Sequence, residues 1–192
     1  EDDASIRLGG TDVRTNLDLL RAVRVANPDA VIVYKPHPDV VAGLRPGAIP
    51  SQELAGLADL VLPDADPARL IEAVDAVWTI TSTLGLEALI RGKPVTCLGM
   101  PFYAGWGLTQ DLAPIPKRRL QRSDSGPRPD LGHLVHAALI AYPRYRDPVS
   151  GLPCPVEVIV DRLASGAPLP RGNRALSRLQ GALASQAWIW RR

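Results

Sequence analysis

Cysteine is nearly missing from this chain, with only Cys97 and Cys154 among 192 residues. Two solitary thiols so far apart supply neither a disulfide framework nor a zinc cluster, and they suit a reducing compartment, by default the cytoplasm. Long apolar runs are missing too. No stretch of about 18 apolar residues escapes interruption by Gly, Pro or polar side chains, so no transmembrane helix is expected and membrane contact would be peripheral. A strong charge of either sign is also lacking: 22 Lys and Arg face 20 Asp and Glu, a net charge of +2. That is too little for indiscriminate phosphate binding, and a nucleic-acid role would need a local patch. Lysine itself is scarce, 3 residues against 19 arginines, which makes each one stand out. The chain opens on Glu1 with no initiating Met and no cationic start leading into an apolar segment, and is expected to be a fragment. What it does hold is 46% hydrophobic residues, enough for a sizeable core in one domain or slightly more.

Apolar Val13, Leu17, Leu20, Val23 and Ala26 recur at helical spacing and predict an amphipathic helix over 11–27, with Thr11 or Asp12 as its N-cap. Asn27-Pro28-Asp29 punctuates, and the β-branched run at 30–34 reads as a strand buried on both faces. The alternation then repeats. Helices near 51–58, 67–75 and 83–91 precede strands at 60–62, 76–81 and 94–99. Strands and helices alternating at this spacing predict an α/β fold, a Rossmann-like parallel sheet flanked by helices. After Gly99 the composition shifts to Gly, Pro and aromatics, marking a long functional loop or an insertion. Helices return near 130–142 and 155–165, and the tail from Arg174 reads as a further helix. The expected division is a nucleotide-binding lobe over 1–146 and a C-terminal extension over 147–192.

In an open parallel sheet the ligand lies beyond the carboxyl ends of the strands. Two such ends carry chemistry. In YKPHPD, Lys35 and His37 follow the strand at 31–34, and Pro36 and Pro38 stiffen the backbone around them into a cationic corner, or into an ordinary turn with both side chains solvated. In TSTLGLEAL, Thr81, Ser82 and Thr83 stand between a strand and a helix. Free N–H groups, adjacent hydroxyls and Gly85 would let a phosphate approach, and Glu87 would accept from ribose hydroxyls. The alternative is plain N-capping by Ser82 with Glu87 solvated. Neither end matches the P-loop or dinucleotide fingerprints.

Other candidates are plainer. Asp64 and Asp66 form a D-x-D that would hold a metal or cap the next helix, and His133 and His136 lack a nearby acidic or thiol partner for a metal site. Tyr103 and Trp106 in a Gly-rich loop would stack on a sugar or simply pack the loop. Between Lys117 and Arg146, seven basic residues, including Arg118 and Arg119, face only Asp124 and Asp130 and would draw anionic ligands. Trp188 and Trp190 beside Arg191 and Arg192, with Arg174 and Arg178 upstream, would seat the tail at an anionic membrane surface or pack it on protein.

In order along the chain, EDDASI, VYKPHPDV, TSTLGLEAL, RGKPVTCLGMPFYAGWGLT and ALIAYPRYRDP closely resemble the capsular polysaccharide biosynthesis proteins that act as retaining β-Kdo transferases. PFYAGWGLT is the most specific of these strings. The resemblance implies a GT-B-like architecture of two Rossmann-like lobes, with this chain similar to the C-terminal one. It implies transfer of Kdo from CMP-Kdo onto a Kdo linker on a lysophosphatidylglycerol lipid, with no metal or other cofactor. His37-Pro38 and Thr81-Ser82 would hold the CMP phosphate, Glu87 would lie near the ribose or cytosine, and Lys35 near the phosphate or sugar carboxylate. Asp3 would be the nucleophile of a double displacement, with His37 assisting the leaving phosphate. Tyr103, Trp106, Arg118 and Arg119 would face the donor or acceptor sugar. The implied partners are the CMP-sugar donor, the lipid-linked acceptor, an N-terminal lobe and other capsule-assembly proteins, at the inner face of the inner membrane. A transferase using CMP-sialic acid, or a non-catalytic nucleotide-sugar-binding module, would carry some of the same features.

Overall fold

Residues 4–124 and 126–166 are described in a computed structural model, so Asp3 and the Trp/Arg-rich tail lie outside the described residues. The chain divides into two units, residues 1–134 and residues 135–192.

The first unit begins with α1 (Ala4–Gly9) and α2 (Asn16–Ala26). The N-cap of α2 is Thr15, not Thr11 or Asp12. Its hydroxyl oxygen accepts from the Asp18 amide at 3.0 Å and donates to the Asp18 carboxylate at 2.6 Å, satisfying an orphan donor of the first turn. Thr11 is used elsewhere, donating to the Leu98 carbonyl at 3.3 Å. Beyond α2, β1 (Val33–Tyr34) runs parallel to β2 (Leu60–Val61), with α3 (Pro38–Val41) and α4 (Ser51–Leu54) between them. Ile32 and Tyr34 are buried against Leu20, whereas Val31 is 73% exposed. The apolar run at 30–34 is therefore buried on one face, because alternate side chains of a strand point to opposite sides. Asp59 ties this layer together. One carboxylate oxygen accepts from the Ile32 amide at 2.7 Å and from Arg24 at 2.6 Å, and these bonds hold its carboxyl below the usual range.

The second layer alternates α5 (Pro67–Ala73), β3 (Val77–Thr79), α6 (Leu84–Ile90) and β4 (Val95–Cys97), then adds β5 (Gln110–Asp111). Asp66 caps α5 by accepting from the Arg69 amide at 3.0 Å, the capping alternative for that residue. The strands β3, β4 and β5 form a parallel sheet in that order, with Val77 opposite Val95 and Cys97 opposite Asp111. Among the described residues the parallel strands thus form two sheets, of two and three strands. The strand β5 emerges just beyond the Gly-, Pro- and aromatic-rich segment expected to be a long functional loop or an insertion. The core of this layer packs Ile71, Leu86, Leu89, Val95, Cys97 and Tyr103. Burial pushes the Cys97 thiol up to about 12, which leaves it an inert packing group. Downstream, α7 (Lys117–Asp124) and α8 (Leu131–Val135) complete the unit, and Leu134 joins the same core.

The second unit holds a π-helical turn (His136–Ala141), an antiparallel pair β6 (Tyr145–Arg146) and β7 (Pro153–Cys154), and α9 (Val156–Ala164). The division falls before Val135 rather than after Arg146, because Tyr145 and Arg146 pair with Pro153 and Cys154 and so belong with the downstream chain. Asp147 is the hub. Its side chain is 7% exposed and accepts from Arg162 Nε at 3.0 Å and from the Ser150 hydroxyl at 2.8 Å, while its amide donates to the Leu152 carbonyl at 2.9 Å. The Arg162 guanidinium, then the Ser150 hydroxyl and the Val149 amide, hold the Asp147 carboxyl well below the ordinary carboxylate range. A depressed folded-state pKa stabilises the fold above the unfolded value of about 3.9, and that contribution is lost as pH falls toward the folded value. Asp147→Asn is therefore expected to lower the thermal midpoint at pH 7, and the gap from the unsubstituted chain is expected to narrow progressively below pH about 4. Thermal unfolding monitored at pH 7 and pH 3 checks this, and an equal gap at both would refute it.

Candidate functional site

The turn after β1 is built on prolines. His37 precedes Pro38, the first residue of α3, and caps that helix: its Nδ1 accepts from the Asp39 amide at 3.1 Å. An imidazole whose Nδ1 accepts carries its proton on Nε2, so the outward edge of the ring is a donor. The side chain is 56% exposed, and Nδ1 lies 3.7 Å from the Asp39 carboxylate, which Arg45 also contacts at 3.1 Å. Lys35 donates to the Pro63 carbonyl at 3.1 Å, tying the end of β1 to the chain that leaves β2. One of its three ammonium donors is thereby used.

The turn after β3 is pinned from several directions. The Ser82 amide donates to the Thr79 hydroxyl at 3.1 Å, and the Ser82 hydroxyl accepts from the Leu84 amide at 3.2 Å. That bond closes the turn ahead of α6, whose N-cap is Thr83 and not the expected Ser82, and the Ser82 hydroxyl proton has no acceptor among the described residues. Ser82 and Thr83 are exposed, and Glu87 is half-buried one turn on, its carboxylate without a partner among the described residues. Thr81 points the other way. It is buried, and its hydroxyl lies 3.2 Å from the Ser5 hydroxyl, which anchors α1 to the end of β3.

The far end of α1 is held as closely. The Met100 amide donates to the Gly9 carbonyl at 2.7 Å. A Cβ on Gly99 would lie 2.8 Å from both the Gly9 and Ile80 carbonyl oxygens, so only glycine admits this approach. Helix α1 thus sits across the carboxyl ends of β3 and β4, fixed at both of its termini. Ser5, Gly9 and Gly99 carry no functional signature in the sequence; the Gly9-Gly10 pair and the glycine closing VTCLG were the available signals.

Two expected sugar-facing residues are corrected here. Tyr103 is fully buried, and its hydroxyl donates to the Ser82 carbonyl. Its ring fills the space over Gly85, where a Cβ would overlap the phenol oxygen. Gly85 accordingly makes room for Tyr103, not for an anion. Arg119 is 7% exposed and donates to the Pro101 and Ala104 carbonyls at 2.8 and 2.6 Å. Neither side chain presents a surface to a ligand, since burial and internal partners use their polar groups. Trp106 keeps a partly exposed ring, its Nε1 donating to the Phe102 carbonyl at 2.8 Å, and Lys117 and Arg118 are exposed on α7.

Among the described residues no hydrogen bond or ion pair joins the 35–38 turn to the 81–87 turn. His133 pairs with Asp130 at 2.7 Å, His136 belongs to the second unit, and among the described residues no group of three or more potential ligands could hold a metal ion. No described helix is long and apolar enough to cross a membrane.

Residues 1–145 match the family model described as "Capsule polysaccharide biosynthesis protein". This chain belongs to that family. It is 46% identical over 178 residues to the "Capsule polysaccharide modification protein LipA" of Neisseria meningitidis serogroup B, a match covering 93% of this chain and 24% of that protein. It is also 46% identical to the "Lipopolysaccharide-processing protein LpsZ" of Rhizobium meliloti, over 76% of this chain and 31% of that one. Two solved structures share its fold. The Thermosulfurimonas dismutans KpsC β-Kdo 2,7 transferase matches with a TM-score of 0.72 and 40% identity, over 85% of this chain and 50% of that one. The β-Kdo 2,4 transferase of the same KpsC matches with a TM-score of 0.70 and 34% identity, over 84% and 48%. The chain therefore spans about a quarter to a third of the curated relatives and about half of the solved chains.

Within this capsule family member, the PFYAGWGLT string is a frame around one turn. Its Tyr103 holds Ser82, its Gly105 amide donates to Asp111 at 2.9 Å, and its Thr109 hydroxyl donates to the same carboxylate at 2.6 Å. The Gly85 contact makes the frame testable. Gly85→Ala is expected to cost about 1–3 kcal/mol by overpacking, read as a fall of several degrees in thermal midpoint. Adding Tyr103→Leu should recover part of that fall, and an unchanged midpoint in Gly85→Ala alone would contradict the packing described.

Proposed function

We propose that this chain is the donor-holding part of a Kdo transferase, receiving the CMP group of CMP-Kdo at the ends of β1 and β3. The observation that carries the reading is the Ser5–Thr81 hydrogen bond, which seats α1 against the turn bearing Ser82. Support comes from the likeness to two Kdo transferase structures over more than four-fifths of the chain. In this reading the Nε2–H of His37 and the hydroxyls of Ser82 and Thr83 donate to the phosphate, Lys35 and Arg118 supply positive charge, and Glu87 accepts from the ribose or cytosine. Trp106 offers the exposed part of its ring to a sugar.

The chemistry is dictated by the charges. Asp3 attacks the anomeric carbon of Kdo, the bond from that carbon to the phosphate oxygen breaks, and CMP leaves with the bonding pair. Donors already aimed at the phosphate stabilise the growing negative charge without reorganisation. The acceptor hydroxyl then displaces Asp3, losing its proton, and two inversions restore the original configuration. The acceptor is the Kdo-bearing lipid linker, met at the inner membrane face with the Trp/Arg-rich tail and an N-terminal lobe contributing.

In the full-length protein, Asp3→Ala is expected to abolish transfer while calorimetric affinity for CMP stays unchanged. His37→Ala is expected to weaken CMP binding about tenfold or more, the worth of a hydrogen bond to a charged group. Normal transfer by the Asp3 variant removes the nucleophile, and unchanged affinity in the His37 variant removes that contact.

A further inference from the structure

We infer that Arg119 is a positioning residue for the Thr81–Ser82 turn, acting through the loop that carries Tyr103, an inference that rests on the donor-holding reading. A guanidinium taken out of water is costly unless its donors are satisfied. Arg119 meets part of that requirement with backbone carbonyls, without a carboxylate in hydrogen-bond reach among the described residues. One terminal nitrogen donates to the Pro101 and Ala104 carbonyls at 2.8 and 2.6 Å, and the guanidinium carbon lies 5.4 Å from the Trp106 ring centroid.

Those two carbonyls flank Tyr103 in sequence. Holding both fixes the backbone on either side of the phenol, and the phenol in turn donates to the Ser82 carbonyl. The loop cannot relax around a different side chain at will. Gly105 has φ +77°, and a Cβ there would meet the Arg119 Cδ at 3.1 Å. Tyr103 itself is confined by Gly85 on one side and by the Phe102 ring, edge-on at 5.3 Å between centroids, on the other. A displacement of Arg119 is thus passed through Tyr103 to the Ser82 hydroxyl, which the turn offers to a phosphate. Lysine does not replace it, since a point charge on a flexible stem cannot both bridge the carbonyls and lie flat over the indole.

The test uses the full-length protein with Arg119→Lys, Arg119→Gln, Tyr103→Phe and the double variants. Calorimetry reads CMP affinity, steady-state kinetics read kcat and KM for CMP-Kdo, and hydrogen exchange reads the Ser82, Leu84 and Gly85 amides. Each single variant is expected to raise the CMP Kd and the donor KM roughly three- to tenfold, with kcat held within about twofold. A loss of folded enzyme alone would lower kcat and leave KM in place. The double variants should be no worse than the weaker single one, because links in series cannot be broken twice. Exchange at the three amides should quicken in every variant. Additive losses, or amides that exchange as in the unsubstituted protein, overturn the inference. Should the unsubstituted protein fail to bind CMP, the donor-holding reading falls, and the exchange rates alone decide whether Arg119 positions the turn. If Arg119→Lys does not fold, Arg119→Gln is judged on the same measurements.

Discussion

The hydrogen bond from the Tyr103 hydroxyl to the Ser82 carbonyl is the contact on which the rest of the first unit depends. It joins a loop rich in glycine to the turn that ends a buried strand. Without a fixed partner, the exposed Ser82-Thr83 pair would sample many conformations, each costing entropy to recover when a ligand arrives. Burying an aromatic ring with its hydroxyl satisfied removes that freedom in advance. Gly85 is the matching concession, a residue without a side chain at the place where the ring must lie.

A second constraint comes from backbone meeting backbone. Helix α1 reaches the carboxyl ends of β3 and β4 because Gly9 and Gly99 have no Cβ, and it stays there through Ser5–Thr81 at one end and Gly9–Met100 at the other. A helix of six residues has little stability of its own, since nucleation is unfavourable and propagation adds few bonds. Its orientation is therefore a property of the sheet beneath it.

The second unit is organised on a different principle. Asp147 gathers a guanidinium, a hydroxyl and backbone amides around one buried carboxylate, so a short two-stranded pair and a helix become one piece. Such a pair would be marginal alone. Electrostatics here takes the place of a large apolar core, and it ties the integrity of this unit to the ionisation of a single side chain.

Periodicity and punctuation in the sequence determined the order of the main helices and strands, the parallel pairing and the cap at Asp66. These are local properties: spacing of apolar residues, a proline, a carboxylate before a helix. Family resemblance, resting on long shared strings, marked the kind of protein. Only the tertiary structure decided that Tyr103 and Arg119 face inward, that Gly85 serves a tyrosine, that Gln110–Asp111 adds a strand, and that Ser5 touches Thr81 across 76 residues of chain. An aromatic or an arginine in a glycine-rich loop reads the same whether it lines a ligand site or fills the space beneath one, because its burial is set by what packs over it. That partner is distant in sequence, and no local pattern records it.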